Sequence, residues 1–171
     1  LDRSRCIACG KCAYGCPHTA LNLIGRRYEP EELVKQLLKD RKFYETSGGG
    51  VTFSGGEPML HPEYLAEVLR LCKEAGLHTA VDTAGCVPFE SFQTVLPYAD
   101  LFLYDIKLWD EEKHKQATGV SNRRILENLR LLTDAGGTAF IRTPVIPTYN
   151  AESDELRRIA DFLAGLPHRE R

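Results

Sequence analysis

Short apolar runs alternate with stretches of helical period along most of this chain. The runs are Val51-Thr52-Phe53, Thr79-Ala80-Val81, Leu101-Phe102-Leu103-Tyr104 and Ala139-Phe140-Ile141. Each is too short for an average helix and is flanked by glycine or charged residues. They predict strands near residues 51, 79, 102 and 140. Between the first two runs, Leu65, Val68, Leu69 and Cys72 recur on one helical face. Gly76 follows as a stop, so a helix is expected over 62–75. Leu33, Val34, Leu37 and Leu38 form a similar stripe behind Glu29-Pro30-Glu31-Glu32, an opening that suits a helix dipole. That helix is expected to end near Tyr44. Further helices are expected over 89–96, 110–117, 121–135 and 153–164, with Ser121 and Ser153 as N-caps of the last two. Residues 18–24 read as one more short strand. Strands and helices alternating at this spacing make an α/β protein, a parallel sheet with covering helices.

Composition narrows the function classes. The chain has 171 residues, with 22 Lys and Arg against 24 Asp and Glu, a formal net charge of -2. Nothing global pulls it toward nucleic acid or an anionic membrane. No apolar run is long enough for a bilayer, and the first residues are no signal peptide, so a cytoplasmic location is expected. Leu1 is not a natural start residue, which predicts that the chain begins within a longer protein. Of 6 cysteines, Cys6, Cys9, Cys12 and Cys16 crowd into residues 6–16. In a reducing compartment such crowding indicates metal binding before disulfides.

The spacing is C-x2-C-x2-C-x3-C-P, the bacterial ferredoxin run. Cys6, Cys9 and Cys12 are expected to share one [4Fe–4S] cluster, while Cys16, before Pro17, serves a second. A zinc knuckle is the alternative. Cys72 fits a core stripe, and Cys86 is expected to be a free thiol without chemistry.

The strand ends carry the other candidates. Gly55-Gly56-Glu57-Pro58 follows the first strand, and Asp82-Thr83 ends the second. Asp105 and Lys107 close the third, and Arg142 lies near the end of the fourth. Parallel α/β folds bind ligands at the carboxyl ends of strands. A ligand with an ammonium and a carboxylate suits this set: Glu57 for the former, Lys107 and Arg142 for the latter. Asp82 and Asp105 neutralise the bases or hold a small cation. Each group also has a plainer reading, as a turn former or a surface ion pair. Their occurrence at four successive strand ends favours a site. His61 and His114 are expected to be solvated.

These blocks resemble the activating enzymes of glycyl radical enzymes, pyruvate formate-lyase activating enzyme among them, in the radical S-adenosylmethionine (radical SAM) superfamily. The resemblance covers nearly the whole chain. It rests on the cysteine run, residues 49–58, Asp82-Thr83-Ala84-Gly85, Tyr104-Asp105-Ile106-Lys107, and the stretches 114–122 and 141–147. It implies a partial parallel (β/α) barrel over 29–171, preceded by the C-terminal half of a ferredoxin-like iron–sulfur insertion over 1–28. It also implies a further [4Fe–4S] cluster, on a C-x3-C-x2-C motif, that reductively cleaves S-adenosylmethionine. The resulting 5′-deoxyadenosyl radical takes hydrogen from a glycine of a partner enzyme, in anaerobic metabolism. No side chain is then catalytic in itself. Gly55, Gly56 and Glu57 hold the methionine amino group. Asp105, Lys107 and Arg142 line the methionine and ribose side, with Asp82 also among the cofactor-binding residues. Asp82, Thr83 and Asp105 resemble a monovalent-cation site. The clusters at residues 6–16 resemble an auxiliary pair that relays electrons, with reduced flavodoxin or ferredoxin as donor.

The chain departs from this pattern in several places. It contains no C-x3-C-x2-C motif and one ferredoxin run where the family has two. Ala84 stands where Asn is common, and Thr148-Tyr149 where a Gly is common. A central piece of an activase, inactive alone, is therefore expected. The alternatives are an electron-transfer or docking module without radical chemistry, or another radical SAM enzyme.

Overall fold

The computed structural model describes residue 2 and residues 4–167. The expectations for Leu1 and for 168–171 lie outside these residues. Four strands, β1 (Gly50–Phe53), β2 (His78–Thr83), β3 (Leu101–Asp105) and β4 (Ala139–Arg142), form one sheet in the order β1-β2-β3-β4. Every neighbouring pair is parallel. This is the α/β architecture expected, the sheet of a partial (β/α) barrel.

Parallel strands need long crossovers, and helices supply them. The helices are α1 (Lys11–Tyr14), α2 (Pro30–Leu37), α3 (Arg41–Ser47), α4 (Pro62–Glu74), α5 (Phe89–Val95), α6 (Glu111–Thr118), α7 (Arg123–Asp134) and α8 (Ser153–Ala164). Side chains alternate across a strand, so each strand gives one set of residues to the helices and the other to the opposite face. Val81, Phe102 and Tyr104 point to the helix side and are fully buried. They join Leu65 and Leu69 of α4, Phe92 and Val95 of α5, and Ile125, Leu129 and Leu132 of α7 in the main core. A second core sets Val51 against Val34, Val68, Cys72 and Leu77. Fully burying a residue such as Phe92 or Leu69 stabilises the fold by about 1.5–3 kcal/mol. Cys72 lies in the core as its stripe implies, and burial pushes its thiol up to about 11.

The start of β2 is pinned by a polar anchor. Asp100 accepts from the Thr79 N–H at 2.9 Å and from its hydroxyl at 3.0 Å. Lys73 Nζ donates to the other Asp100 oxygen at 2.8 Å. Burial pushes the Asp100 carboxyl up, but the bonds from Lys73 and Thr79 outweigh it and leave it below its ordinary value.

Several expectations are corrected. Residues 18–24 form no strand; they are exposed and irregular. Among the described residues no neighbouring strand offers them a ladder, and backbone N–H and C=O groups without one stay with water. The helix from Pro30 stops at Leu37, passes through a 3-10 turn at Leu38–Asp40, and resumes as α3 to Ser47. Asn122 and Glu152, not Ser121 and Ser153, are the N-caps of α7 and α8. Ser121 still contributes, since its Oγ accepts from the Arg123 N–H at 3.1 Å. No described helix is long and apolar enough to cross a membrane.

Candidate functional site

The face of the sheet away from the helices carries Asp82, Leu103, Asp105, Phe140 and Arg142. Register decides this: Asp82 sits beside Leu103, Leu103 beside Phe140, and Asp105 beside Arg142. Polar groups crown this face at the carboxyl ends of the strands, above an apolar floor.

Arg142 is the centre of the crown. Its Nε and Nη2 donate to one oxygen of Asp105, at 3.0 and 2.8 Å, and Nη2 also bonds Asp82. Lys107 Nζ donates to the other Asp105 oxygen at 2.8 Å. Ser54 Oγ donates to the second oxygen of Asp82 at 3.2 Å. Two carboxylates and two bases from three strand ends thus form one continuous chain of charge-assisted bonds. The bond to Asp82, then that to Asp105, raises the Arg142 guanidinium above its ordinary value despite some burial. The side chains stay accessible: 20% exposed for Asp105, 36% for Arg142 and 39% for Lys107.

Glu57 ties the β1 exit to the β2 exit. One carboxylate oxygen accepts from the Met59 N–H at 3.1 Å and from Thr83 Oγ1 at 2.9 Å; the other accepts from the Ala84 N–H at 2.9 Å. A carboxylate offers about four acceptor positions, so roughly one is left for a ligand. Just before it, Gly55 and Gly56 hold φ of 90° and 54°, angles that L side chains rarely adopt. Open space surrounds the position of a Cβ at either glycine. Both glycines are exposed, so they leave a side-chain-free cradle of backbone beside the crown. A small zwitterion fits this combination of bare backbone, one carboxylate position and two bases.

Asp82, Thr83 and Asp105, the residues expected around a monovalent cation, are each engaged by protein groups. The Arg142 guanidinium bonds both aspartates, and Thr83 Oγ1 is engaged by Glu57 and by the Gly85 N–H at 3.0 Å. Both aspartates face the bases, one of the two roles expected of them. His114 is also corrected, since it is 2% exposed. Its Nδ1 lies 2.8 Å from Val120 O and 3.1 Å from Thr118 Oγ1, which closes the turn after α6. The polar sequence of α6 hides this, because His114 is its one buried residue. His61 is exposed, as expected.

Cys6, Cys9 and Cys12 line one concavity of about 300 Å³ with Asp2, Arg5 and Lys11. Cys16 lies outside it. Backbone N–H groups of His18, then Leu21, hold the Cys16 thiol below its ordinary value. Among the described residues no three His, Cys, Asp or Glu side chains are grouped closely enough for a single ion. An iron–sulfur cluster binds each thiolate on a separate iron and spaces them further apart. Three thiols share one hollow, and the fourth does not line it.

Residues 7–163 match the family model of the radical SAM superfamily. The chain belongs to that superfamily. Radical SAM proteins use a [4Fe–4S] cluster and S-adenosylmethionine. Among the relatives, the chain is 43% identical to the trans-4-hydroxy-L-proline dehydratase activating enzyme of Clostridioides difficile, over 96% of this chain and 65% of that protein. It is 41% identical to the (2S)-3-sulfopropanediol dehydratase activating enzyme of Klebsiella oxytoca, over 95% of this chain and 51% of that protein. The chain thus spans half to two thirds of the length of these relatives. A crystal structure of a domain of pyruvate-formate lyase-activating enzyme from Bacteroides vulgatus superposes with a TM-score of 0.66 at 42% identity, covering 70% of this chain and 74% of that one.

Ser54 escaped the sequence reading, although a hydroxyl one residue before a Gly-Gly turn was a usable signal. Asn122, Asn150 and Glu155, all buried, escaped it as well. Each bonds backbone atoms of another segment, and Asn150 those of its own turn as well, so no local pattern announces them.

Proposed function

We propose that this radical SAM chain seats S-adenosylmethionine on its carboxyl-end crown, in a protein that activates a glycyl radical enzyme. The observation that carries the reading is Arg142, held by two aspartates beside Lys107 and the empty Gly55-Gly56 cradle. Lys107 and Arg142 take the ligand carboxylate. Glu57 and the Gly55 and Gly56 carbonyls take its ammonium, and Asp82 and Asp105 keep the bases oriented. Charge supports the same ligand. Glu57, Asp82 and Asp105 against Lys107 and Arg142 leave the crown one negative charge in excess. S-adenosylmethionine, with a sulfonium, an ammonium and a carboxylate, carries one net positive charge. The chemistry that this ligand and a reduced [4Fe–4S] cluster supply, when bound, is a radical able to take hydrogen from a glycine.

Residues 1–28 are read as half of a ferredoxin-like insertion, with Cys6, Cys9, Cys12 and Cys16 on auxiliary clusters, and 29–171 as the partial barrel. Arg5 and Lys11 beside the cysteines suit an acidic carrier such as reduced flavodoxin or ferredoxin. The relatives are named for activating a dehydratase or a lyase; a glycyl radical enzyme is the partner that suits this reading, and the cytoplasm the location.

Isothermal titration of S-adenosylmethionine into the unmodified chain and into Lys107→Ala tests the seat. Removing one partly exposed charge-assisted bond is expected to weaken binding by about five- to tenfold. Equal affinity for the two proteins contradicts the role given to Lys107. An electron-transfer module without radical chemistry predicts no binding by either.

A further inference from the structure

Three buried side chains from elsewhere in the chain hold the backbone that follows β3. Asn122 Nδ2 donates to Leu108 O at 3.0 Å and Trp109 O at 2.7 Å. Glu155 accepts from the Trp109 N–H, and from the Asp110 N–H at 3.1 Å. Asn150 Nδ2 donates to Lys107 O at 2.9 Å and to Pro144 O at 2.8 Å. Its Oδ1 accepts from the Ile146 N–H at 2.6 Å.

Asn150 differs from the other two because it bridges. Lys107 belongs to the exit of β3, and Pro144 lies two residues beyond Arg142 in the exit of β4. One amide therefore clasps the two segments that carry both bases of the crown. It is 2% exposed, with both N–H donors and its carbonyl in use. Its own place is fixed by a closed turn, in which the Tyr149 and Asn150 N–H groups donate to Ile146 O at 3.1 and 3.2 Å. Within that turn Thr148 holds a φ of 68°, an unfavourable angle for a β-branched residue. Such strain persists where the surroundings over-determine it, often beside functional sites.

We propose that Asn150 is a positioning residue: its amide sets the spacing between Lys107 and Arg142, and through it the fit of the ligand carboxylate. The inference rests on the crown being the S-adenosylmethionine seat. Two bases grip one carboxylate only when both lie within hydrogen-bonding distance, and a rigid support is what holds them there. Nothing in the amide touches the ligand; it acts through the two backbone carbonyls.

A double-mutant cycle tests it, with calorimetric titration of S-adenosylmethionine into the unmodified chain, Lys107→Ala, Asn150→Asp and the double variant. Asn150→Asp keeps the size and the acceptor for Ile146 but turns an oxygen toward two carbonyls. It is expected to weaken binding about tenfold, and the double variant is expected to bind within about twofold of the weaker single variant, because both changes act on one contact. Multiplying losses in the double variant overturn the proposal, since they mark damage independent of Lys107. An affinity for Asn150→Asp within about twofold of the unmodified chain overturns it too. An inert Lys107→Ala instead overturns the reading of the crown. Should Asn150→Asp lose its cooperative thermal transition, Asn150→Ser replaces it, keeping one donor without new charge and expected to cost about threefold. If neither variant folds, Asn150 is structural and the proposal fails.

Discussion

Arg142→Met is expected to weaken S-adenosylmethionine binding at least a hundredfold and to lower the thermal midpoint. Methionine fills much of the same volume but removes the three bonds that Arg142 makes to Asp82 and Asp105. The two aspartates then face each other across neighbouring strands, with only Ser54 and Lys107 to answer them. Breaking a fully buried pair costs about 3–5 kcal/mol. Here the aspartate side chains are 24% and 20% exposed and that of the arginine 36%, so solvent screening reduces the loss to about 2 kcal/mol. For a domain of this size that corresponds to roughly 4–8 °C. On the proposed seating binding suffers more, because one carboxylate anchor disappears and the other, Lys107, is held by an Asp105 that has lost its second base. Arg142→Lys is expected to recover part of the stability and little of the affinity. An ammonium lacks the planar fork that reaches both aspartates at once. Calorimetry and a thermal melt measure both effects. An affinity for Arg142→Met within about twofold of the unmodified chain contradicts the centre of the site.

Gly85→Ala has the largest expected effect on the fold itself. Gly85 holds a φ of 71°, and a Cβ there would stand 2.0 Å from Tyr104 Oη and 2.3 Å from its Cζ. Neither side can give way. Tyr104 is fully buried and its hydroxyl donates to Ile125 O at 2.7 Å. From the other direction, Asn128 Nδ2 donates to Gly85 O and Val87 O, both at 2.8 Å. Overpacking and an unsuitable φ add, so a loss of roughly 3 kcal/mol or more is expected. That lowers the thermal midpoint by about 6–12 °C. Adding Tyr104→Phe removes the nearest atom but leaves the ring, and it strips Ile125 O of its donor. The double variant is therefore expected to stay well below the unmodified chain. A melt of Gly85→Ala within about 2 °C of the unmodified protein contradicts this packing. The strain also reaches the crown, because Ala84, next in sequence, donates to Glu57.

The strands and the crown were legible for a simple reason. A parallel strand buried on its helix side must be apolar in alternate positions, and ligand groups in such folds gather where the strands end. Val81, Phe102 and Tyr104 announced the first rule, and Asp82, Asp105 and Arg142 the second. The stripe of α4, with Cys72 in it, was readable because helical period and burial coincide there. Residues 18–24 misled because an apolar-rich segment resembles a strand, whereas a strand exists only where a partner completes its ladder. His114 misled because α6 is polar nearly all round, so burial of one residue leaves no periodic trace. Thr148 and Asn150 belong to a turn defined by contacts to Lys107 and Pro144, far away in sequence or set by the turn itself. The convergence of both aspartates on Arg142 also needed three dimensions: register places Arg142 beside Asp105, and the reach of its side chain brings it to Asp82.

A single seat for S-adenosylmethionine at the strand ends requires all of its polar groups to respond to the ligand together. Two-dimensional NMR of the isotopically labelled chain during a titration with S-adenosylmethionine tests it most directly. The largest backbone amide shifts are predicted at Gly55, Gly56, Glu57, Ala84, Lys107 and Arg142, saturating together with one dissociation constant. Shifts concentrated instead at the opposite end of β4, around Gly137, Thr138 and the apolar cavity they line with Leu163 and Leu166, would contradict the claim, as would a spectrum that does not change.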